Sequence, residues 1–298
     1  MLYKPLGKSE LQISAIGFGC MSLGGREPDN EWLIHQAMAV GINFFDTADL
    51  YERGLNEEQL GRILRGRRDE VVLATKVGNR WRENCSGWDW DPRKEYIMNA
   101  VEDSLRRLGT DRIDLYQLHG GTTEDPIDET IEAFALLQQQ GKIRYYGISS
   151  IRPNVIREWV ARSSMVSVMV QYNLLDRRPE ENIFPLLRGR DIGILARGPL
   201  AKGLLVDKPA VPYLDHTTES VENAAKLIHS HSGKKRLAAQ TALQFVLSEE
   251  AVTSAVTGIR TPEQLAAAVG VMEAEWLTAG ELAELRTEIP ADYYREHR

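Results

Sequence analysis

Asp46, Tyr51, Lys76 and His119 are the side chains of this sequence that packing explains least well. The stretch "NFFDTADLYERGLNEEQLG" begins as an apolar run, stops on Asp46, and passes Asp49 and Tyr51 before a helical pattern resumes at Asn56. Lys76 closes the run "EVVLATK" and His119 closes "IDLYQLH". A phenol, with an ordinary pKa of about 10, is a poor acid at neutral pH. An ammonium beside it stabilises the phenolate, and a carboxylate paired with the ammonium keeps that charge in place. A histidine adds a hydrogen-bond donor. Brought to one point, such a set delivers a proton to a carbonyl oxygen. Taken singly, each residue has a plainer explanation: Asp46 as a turn former or cap, Lys76 as a solvated loop residue, His119 as a satisfied histidine before two glycines, Tyr51 as packing. Those explanations do not account for such groups following successive apolar runs.

The elements that must position them alternate along the chain. Short apolar runs, often β-branched, recur as "ISAIGFG", "INFFD", "EVVLATK", "IDLYQLH", "IRYYGIS", "VSVMVQYN", "DIGILAR" and "AVTSAVTG". Between them lie helical patterns, among them Trp32 to Val40, Tyr96 to Leu108, Ile127 to Leu137 and Gln264 to Val271. Asp91-Pro92, Arg152-Pro153 and Thr261-Pro262 read as helix starts with proline in the first turn. About eight strand-then-helix units without a linker-like break predict a closed (β/α)8 TIM barrel, with a doubly wound open sheet as the alternative. The opening "YKPLGKSELQIS" predicts a β-hairpin turning at Gly7-Lys8 ahead of the first barrel strand. Longer irregular segments are expected from Asn79 to Pro92 and from about Lys202 to Ser220. Barrels of this kind carry their sites at the C-terminal ends of the strands. The expected strand ends are Asp46, Lys76, His119, Ser149 and Gln171, with Tyr51 on an intervening loop.

Composition narrows the class. The chain has 298 residues and no low-complexity segment, and one domain over 1–298 is expected. No run of about 18 apolar residues predicts a membrane span, and "MLYKPLGKSE" lacks the apolar core of a secretion signal. A net charge of −7 argues against general affinity for nucleic acid or anionic membranes, while leaving room for a local basic pocket. Cys20 and Cys85 are expected as free thiols of a reducing cytoplasm.

The motifs "FFDTADLY", "LATK", "DLYQLH", "YYGISS" and "VMVQYN" make the chain resemble the aldo-keto reductases from "ISAIGFGCM" to "GIRTPEQL", nearly its whole length. The resemblance implies that Asp46, Tyr51, Lys76 and His119 form a catalytic tetrad, with Tyr51 the general acid, Lys76 and Asp46 tuning it, and His119 orienting the substrate. It implies hydride transfer from NADPH to a small-molecule aldehyde or ketone, and by family habit a monomer. Ser149 and Gln171 would hold the nicotinamide carboxamide, and Ser150 stands where the family often has Asn. Further cofactor contacts would come from Arg197, Gly198, Pro199, Leu200 and Lys202 in "ARGPLAKG", and from Gly258, Arg260 and Gln264 in "GIRTPEQLAAA". Arg197 replaces a tyrosine that many members stack under the nicotinamide. Its guanidinium either lies against that ring or turns to the pyrophosphate. Ala267 and Ala268 replace a Glu-Asn adenine clamp, while Arg260 suits a bidentate contact with a 2′-phosphate.

Weaker signals remain. "GFGCMS" has Ser22 where a dinucleotide fingerprint needs its third glycine, so its glycines are expected to let the first strand's end approach the cofactor. No metal is expected at the "HSH" of His229 to His231, which lacks an accompanying carboxylate or cysteine cluster. Trp81, Trp88 and Trp90 either wall a substrate pocket or pack their own loop. Two other classes stay open: a class I aldolase-like lyase forming a Schiff base at Lys76, and a nicotinamide-binding regulatory protein with little turnover.

Overall fold

The computed structural model describes residues 1–84 and 86–298; Cys85 lies outside the described residues. In chain order its strands are β1 (Tyr3–Pro5), β2 (Gln12–Ser14), β3 (Ile16–Gly19), β4 (Phe44–Asp46), β5 (Val72–Val77), β6 (Asn79–Trp81), β7 (Trp88–Trp90), β8 (Ile113–Leu118), β9 (Ile143–Ser149), β10 (Ser167–Gln171), β11 (Gly193–Arg197) and β12 (Val252–Thr257). The helices are α1 (Glu27–Ala39), α2 (Leu55–Ile63), α3 (Lys94–Leu108), α4 (Ile127–Gln139), α5 (Pro153–Arg162), α6 (Pro179–Arg188), α7 (Thr218–Ser230), α8 (Ala238–Leu247), α9 (Pro262–Val269) and α10 (Ala279–Glu288). Strands β3, β4, β5 and β8 to β12 close a parallel barrel in sequence order, the (β/α)8 TIM barrel. No described helix is long and apolar enough to cross a membrane.

Side chains alternate between the two faces of each strand, and here the alternation divides two cores. Phe44, Val72, Ala74, Leu115, Met169, Leu195 and Val256 pack with Leu6, Leu11 and Ile13 of the β1–β2 hairpin, which plugs the barrel's base. Their neighbours Phe45, Leu73, Tyr116, Val168 and Ile194 pack instead with the helices. Counting two residues on from Phe44, Ala74 and Leu115 brings Asp46, Lys76 and Gln117 into the barrel. The registers Asp46 opposite Ala74 and Lys76 opposite Gln117 set them close together. Polar side chains thus form the inner layer above an apolar one.

Several local expectations are refined. The expected irregular segment after β5 contains a strand pair: β6 and β7 run antiparallel, Asn79 opposite Trp90 and Trp81 opposite Trp88. Trp81 packs edge-on to Trp88 across this pair, and Trp90 lies over Gly78 and Gly120. Helix α3 starts at Lys94 rather than Pro92, because the Asp91 amide bonds Gly78 O at 2.8 Å and so belongs to the hairpin's end. Thr261 caps α9 by accepting from the Gln264 amide, with Pro262 in the first turn. Gly17 owes its identity to packing rather than to a cofactor: a Cβ there would meet Phe44 Cδ1 at 2.8 Å inside the barrel.

Gly61 lies inside α2, where alanine is the better helix former by about 1 kcal/mol. A Cβ at Gly61 would meet the carbonyl oxygens of Leu108 and Arg107 at 2.5 and 2.7 Å. Backbone cannot yield as a flexible side chain does, so overpacking wins. Gly61→Ala is expected to destabilise the fold by about 1–3 kcal/mol, read from the urea unfolding midpoint. An unchanged or raised midpoint would refute the close approach of α2 to the end of α3.

Candidate active site

Lys76 is 1% exposed and Asp46 4% exposed, so both charges sit inside the barrel mouth. The ammonium has three acceptors: Asp46 Oδ2 at 2.6 Å, Thr47 O at 2.7 Å and Tyr51 Oη at 3.2 Å. An ammonium has three N–H bonds, so its donor capacity is met. Burial opposes the charge on Lys76, but Asp46 and then Tyr51 outweigh it and hold the lysine above its ordinary value. Burial likewise pushes Asp46 up, against the pull of Lys76 and a hydrogen bond from Gln117 Nε2 at 3.2 Å. Lys76 therefore keeps its proton at neutral pH.

Tyr51 opens a short 3-10 turn, Tyr51–Gly54, directly before α2. That turn is anchored from below by the Asp49 amide on Lys76 O and from the side by Trp81 Nε1 on Leu50 O at 3.1 Å. Glu52, Arg53 and Gly54 all have left-handed backbones, with φ of 49°, 59° and 87°. The two non-glycine residues each cost of the order of 1–2 kcal/mol. At Gly54 a Cβ would also strike Arg107 Cδ at 2.6 Å.

His119 follows β8, its amide on Val77 O at 2.7 Å, and its ring stands edge-on to Tyr51 with centroids 6.0 Å apart. Burial first, then the positive charges of Lys76 and Arg197, push the imidazole down to about 3. It is therefore neutral at physiological pH. Its Nδ1 is buried without a partner.

The remaining expected residues ring the same strand ends. Ser149 and Ser150 are buried at the end of β9. Gln171 accepts from Arg197 Nη1 at 2.9 Å and donates to Asp176 Oδ2 at 2.8 Å, which leaves one N–H and one lone pair free. Arg197 thus turns towards β10 and is close enough to act on His119 and Asp46. After it, Gly198, Ala201 and Lys202 are left-handed, Pro199 is buried and Leu200 half-buried. Arg260, with Met21, Ser22, Leu23, Gly24 and Asn30, lines a cavity of about 330 Å³. Its Nε bonds Ser22 O and its amide bonds Gln264 Oε1, while Gly258 is exposed beside Ser22. Ala268, on the inner face of α9, is buried in the core. A wider depression of about 620 Å³, between Glu102 and Lys142, lies where the chain enters β8 and β9, at the opposite end of the barrel.

Gln117 and Asp176 went unnoticed in the sequence. Gln117 was within reach, since a polar residue two before His119 in "DLYQLH" must face the same way. Asp176 has no such signal, as its partners Gln171 and Arg178 meet it through a tight turn. The tryptophans divide: Trp90 fills the space above Gly78 and Gly120, while Trp81 packs edge-on to Trp88 and touches the Tyr51 loop. His229 is spoken for by Val206 O at 2.7 Å.

His119 makes a pH prediction. Its folded value lies below the unfolded value near 6.5, so the unfolded chain binds the extra proton and stability falls as pH drops from about 6.5 towards 3. Between pH 7 and pH 5 this amounts to about 2 kcal/mol. Denaturation of wild type and His119→Gln at both pH values should show that much extra acid sensitivity in wild type. Equal losses would mean the imidazole is not held neutral.

The geometry agrees with what the chain resembles among known proteins. A model of the aldo/keto reductase family matches residues 15–288. The chain is 48% identical, over the full length of both proteins, to "Uncharacterized oxidoreductase YqkF" of Bacillus subtilis (strain 168). It is 49% identical to the holo form of aldo-keto reductase AKR11C1 from Bacillus halodurans, with a TM-score of 0.93 and coverage of 100% of this chain and 99% of that one. The apo form of the same protein gives 46% identity and a TM-score of 0.86 over the same shares. With its barrel, its N-terminal hairpin and a family match over nearly all its length, this chain belongs to the aldo/keto reductase family, oxidoreductases of small carbonyl compounds.

Proposed function

We propose that the protein is an NADPH-dependent reductase that turns aldehydes or ketones into alcohols, with residues 1–298 acting as one domain. The observation that carries this reading is the Lys76 ammonium bonded at once to Asp46 and to Tyr51 Oη. Tyr51 acts as general acid: its O–H bond breaks, the proton goes to the carbonyl oxygen, and the phenolate left behind faces the Lys76 charge at 3.2 Å. Asp46 holds that charge in place. His119, neutral, donates one hydrogen bond to the same carbonyl oxygen and so orients it. The Trp81 indole walls the approach beside Tyr51.

When bound, the reduced nicotinamide supplies the hydride. The residues present suit such a cofactor. In a chain of net charge −7, Arg197 at the end of β11, with Lys202 and Arg260 on the loops after β11 and β12, supplies positive charge, as a phosphate-bearing molecule requires. Ser149, Ser150 and Gln171 would hold the carboxamide end, Gln171 through its remaining N–H and lone pair. Arg197 and the loop Gly198, Pro199, Leu200 and Lys202 would follow the cofactor outwards. Gly258, Arg260 and Gln264 would receive the adenosine end at the cavity beside Ser22, Arg260 pairing with a 2′-phosphate. A Schiff-base lyase would need Lys76 as the neutral amine, and its carboxylate partner opposes that form. A regulatory role without turnover is separated by an NADPH-oxidation assay on an aldehyde and ketone panel. Cys20, free and buried, suits work in a reducing cytoplasm.

Tyr51→Phe is expected to cut turnover by roughly 10²–10⁴-fold, with NADPH affinity nearly unchanged. More than a tenth of wild-type turnover, under conditions where chemistry limits the rate, would remove Tyr51 from the acid role. Arg260→Ala is expected to weaken NADPH binding by about ten- to a hundredfold, the worth of a charge-assisted contact of about 1.5–3 kcal/mol, while sparing NADH. Fluorescence titration with both cofactors reads this, and equal losses would assign Arg260 a structural role.

A further inference from the structure

Asn56 and Glu57 are 1% and 0% exposed, at the first turn of α2, and the proposed chemistry uses neither. Burying a carboxylate and an amide is costly unless their bonds are met, so their partners matter. Asn56 Oδ1 accepts from Thr47 Oγ1 at 2.6 Å, and its Nδ2 donates to Cys20 O at 2.9 Å. Glu57 accepts from Thr75 Oγ1 and from Arg107 Nε, each at 2.6 Å. Arg107 is steadied in turn by Ser104 Oγ at 3.1 Å.

Thr47 and Thr75 are the immediate neighbours of Asp46 and Lys76. Strand alternation turns Asp46 and Lys76 into the barrel and their threonine neighbours out towards α2. The inner ion pair is therefore backed by an outer pair of hydroxyls, each received by one of two consecutive residues on a single helix. Thr47 is also bound from inside, since its carbonyl oxygen accepts from Lys76 Nζ at 2.7 Å. Its amide bonds Ala74 O at 2.9 Å. One residue thus connects Asn56 to the ammonium that faces Tyr51.

We propose that Asn56 and Glu57 are positioning residues for the Asp46–Lys76 pair, acting through the hydroxyls of Thr47 and Thr75, and that Thr47 transmits this to the Lys76 ammonium. The inference rests on the acid role proposed for Tyr51. Without its bond to Asn56, the Thr47 peptide is free to tilt, and the ammonium follows its carbonyl acceptor away from Tyr51 Oη. Displacements of about 1 Å at a reacting group cost up to about a hundredfold in rate, so a partial release should cost about tenfold.

The test is single-turnover and steady-state oxidation of NADPH, followed by absorbance, in Thr47→Val and Thr47→Ser, with Thr75→Val and Thr75→Ser as a second pair should the first valine variant fold poorly. Circular dichroism supplies the folded fraction. The valine variants should lose about tenfold in rate per folded molecule, with KM for cofactor and carbonyl within about twofold, and serine should restore the rate. On a Tyr51→Phe background, Thr47→Val should cost no more than about twofold further, because both changes act on one contact. Wild-type rates in folded Thr47→Val and Thr75→Val, a loss confined to KM, a loss shared by serine, or full additivity with Tyr51→Phe would each overturn the proposal. Tyr51→Phe alone keeps the two claims apart. If it retains turnover, the acid role itself fails; if it is inactive while the valine variants run at wild-type rate, only the positioning role fails.

Discussion

A lysine ammonium buried at the mouth of a barrel is the constraint on which the rest of this structure turns. Moving such a charge out of water costs several kcal/mol even after relaxation. The cost is bearable here because Lys76 has a carboxylate, a carbonyl and a phenol as acceptors for its three N–H bonds. Removing Asp46 would leave an uncompensated buried charge, and removing either of the other acceptors would leave a buried N–H unmet. The requirement reaches outwards: Asp46 is steadied by Gln117, and Thr47 by Asn56. The apolar layer beneath, from Phe44 to Val256, packs directly under this site.

The barrel makes this arrangement possible because neighbouring parallel strands present inward side chains at a common height. The loops then bear the cost of irregularity. Left-handed non-glycine backbones occur at Glu52 and Arg53 after Tyr51, and at Ala201 and Lys202 after Arg197. Strain of this kind persists only where the surroundings over-determine it. At the first loop, those surroundings are the Trp81 indole, the Lys76 carbonyl and the start of α2. Tyr51 is consequently held by a tense, well-anchored turn beside a rigid sheet, which suits a group that must meet a reacting atom repeatedly at one distance.

Electrostatics divides along the same line. The chain is acidic overall, yet burial first, and then the charges of Lys76 and Arg197, keep the His119 imidazole neutral, and its Nδ1 has no partner. A charged histidine beside Lys76 would repel it. The site therefore concentrates one positive charge at the phenol, and keeps the histidine as a hydrogen-bonding group.

Much of this was legible in the order of residues alone. Runs of period two ending on Asp46, Lys76, Ser149 and Gln171, with helical patterns between them, specify a barrel and a ring of polar strand ends, because strand alternation and helix periodicity are local properties. Thr261-Pro262 marks a helix start for the same reason, since the cap bonds span only three residues. Other features depend on register and on close approach between distant segments, which local pattern does not encode. The meeting of Asp176 with Gln171, the hydroxyls of Thr47 and Thr75 on Asn56 and Glu57, and the turn of Arg197 towards β10 are of this sort. Gly17 looked like room for a ligand and is room for Phe44, because which face a glycine clears is decided by the neighbouring strand. Residue order determined which groups face inward at the barrel mouth; the closing of the barrel, a long-range event, decided which of them touch.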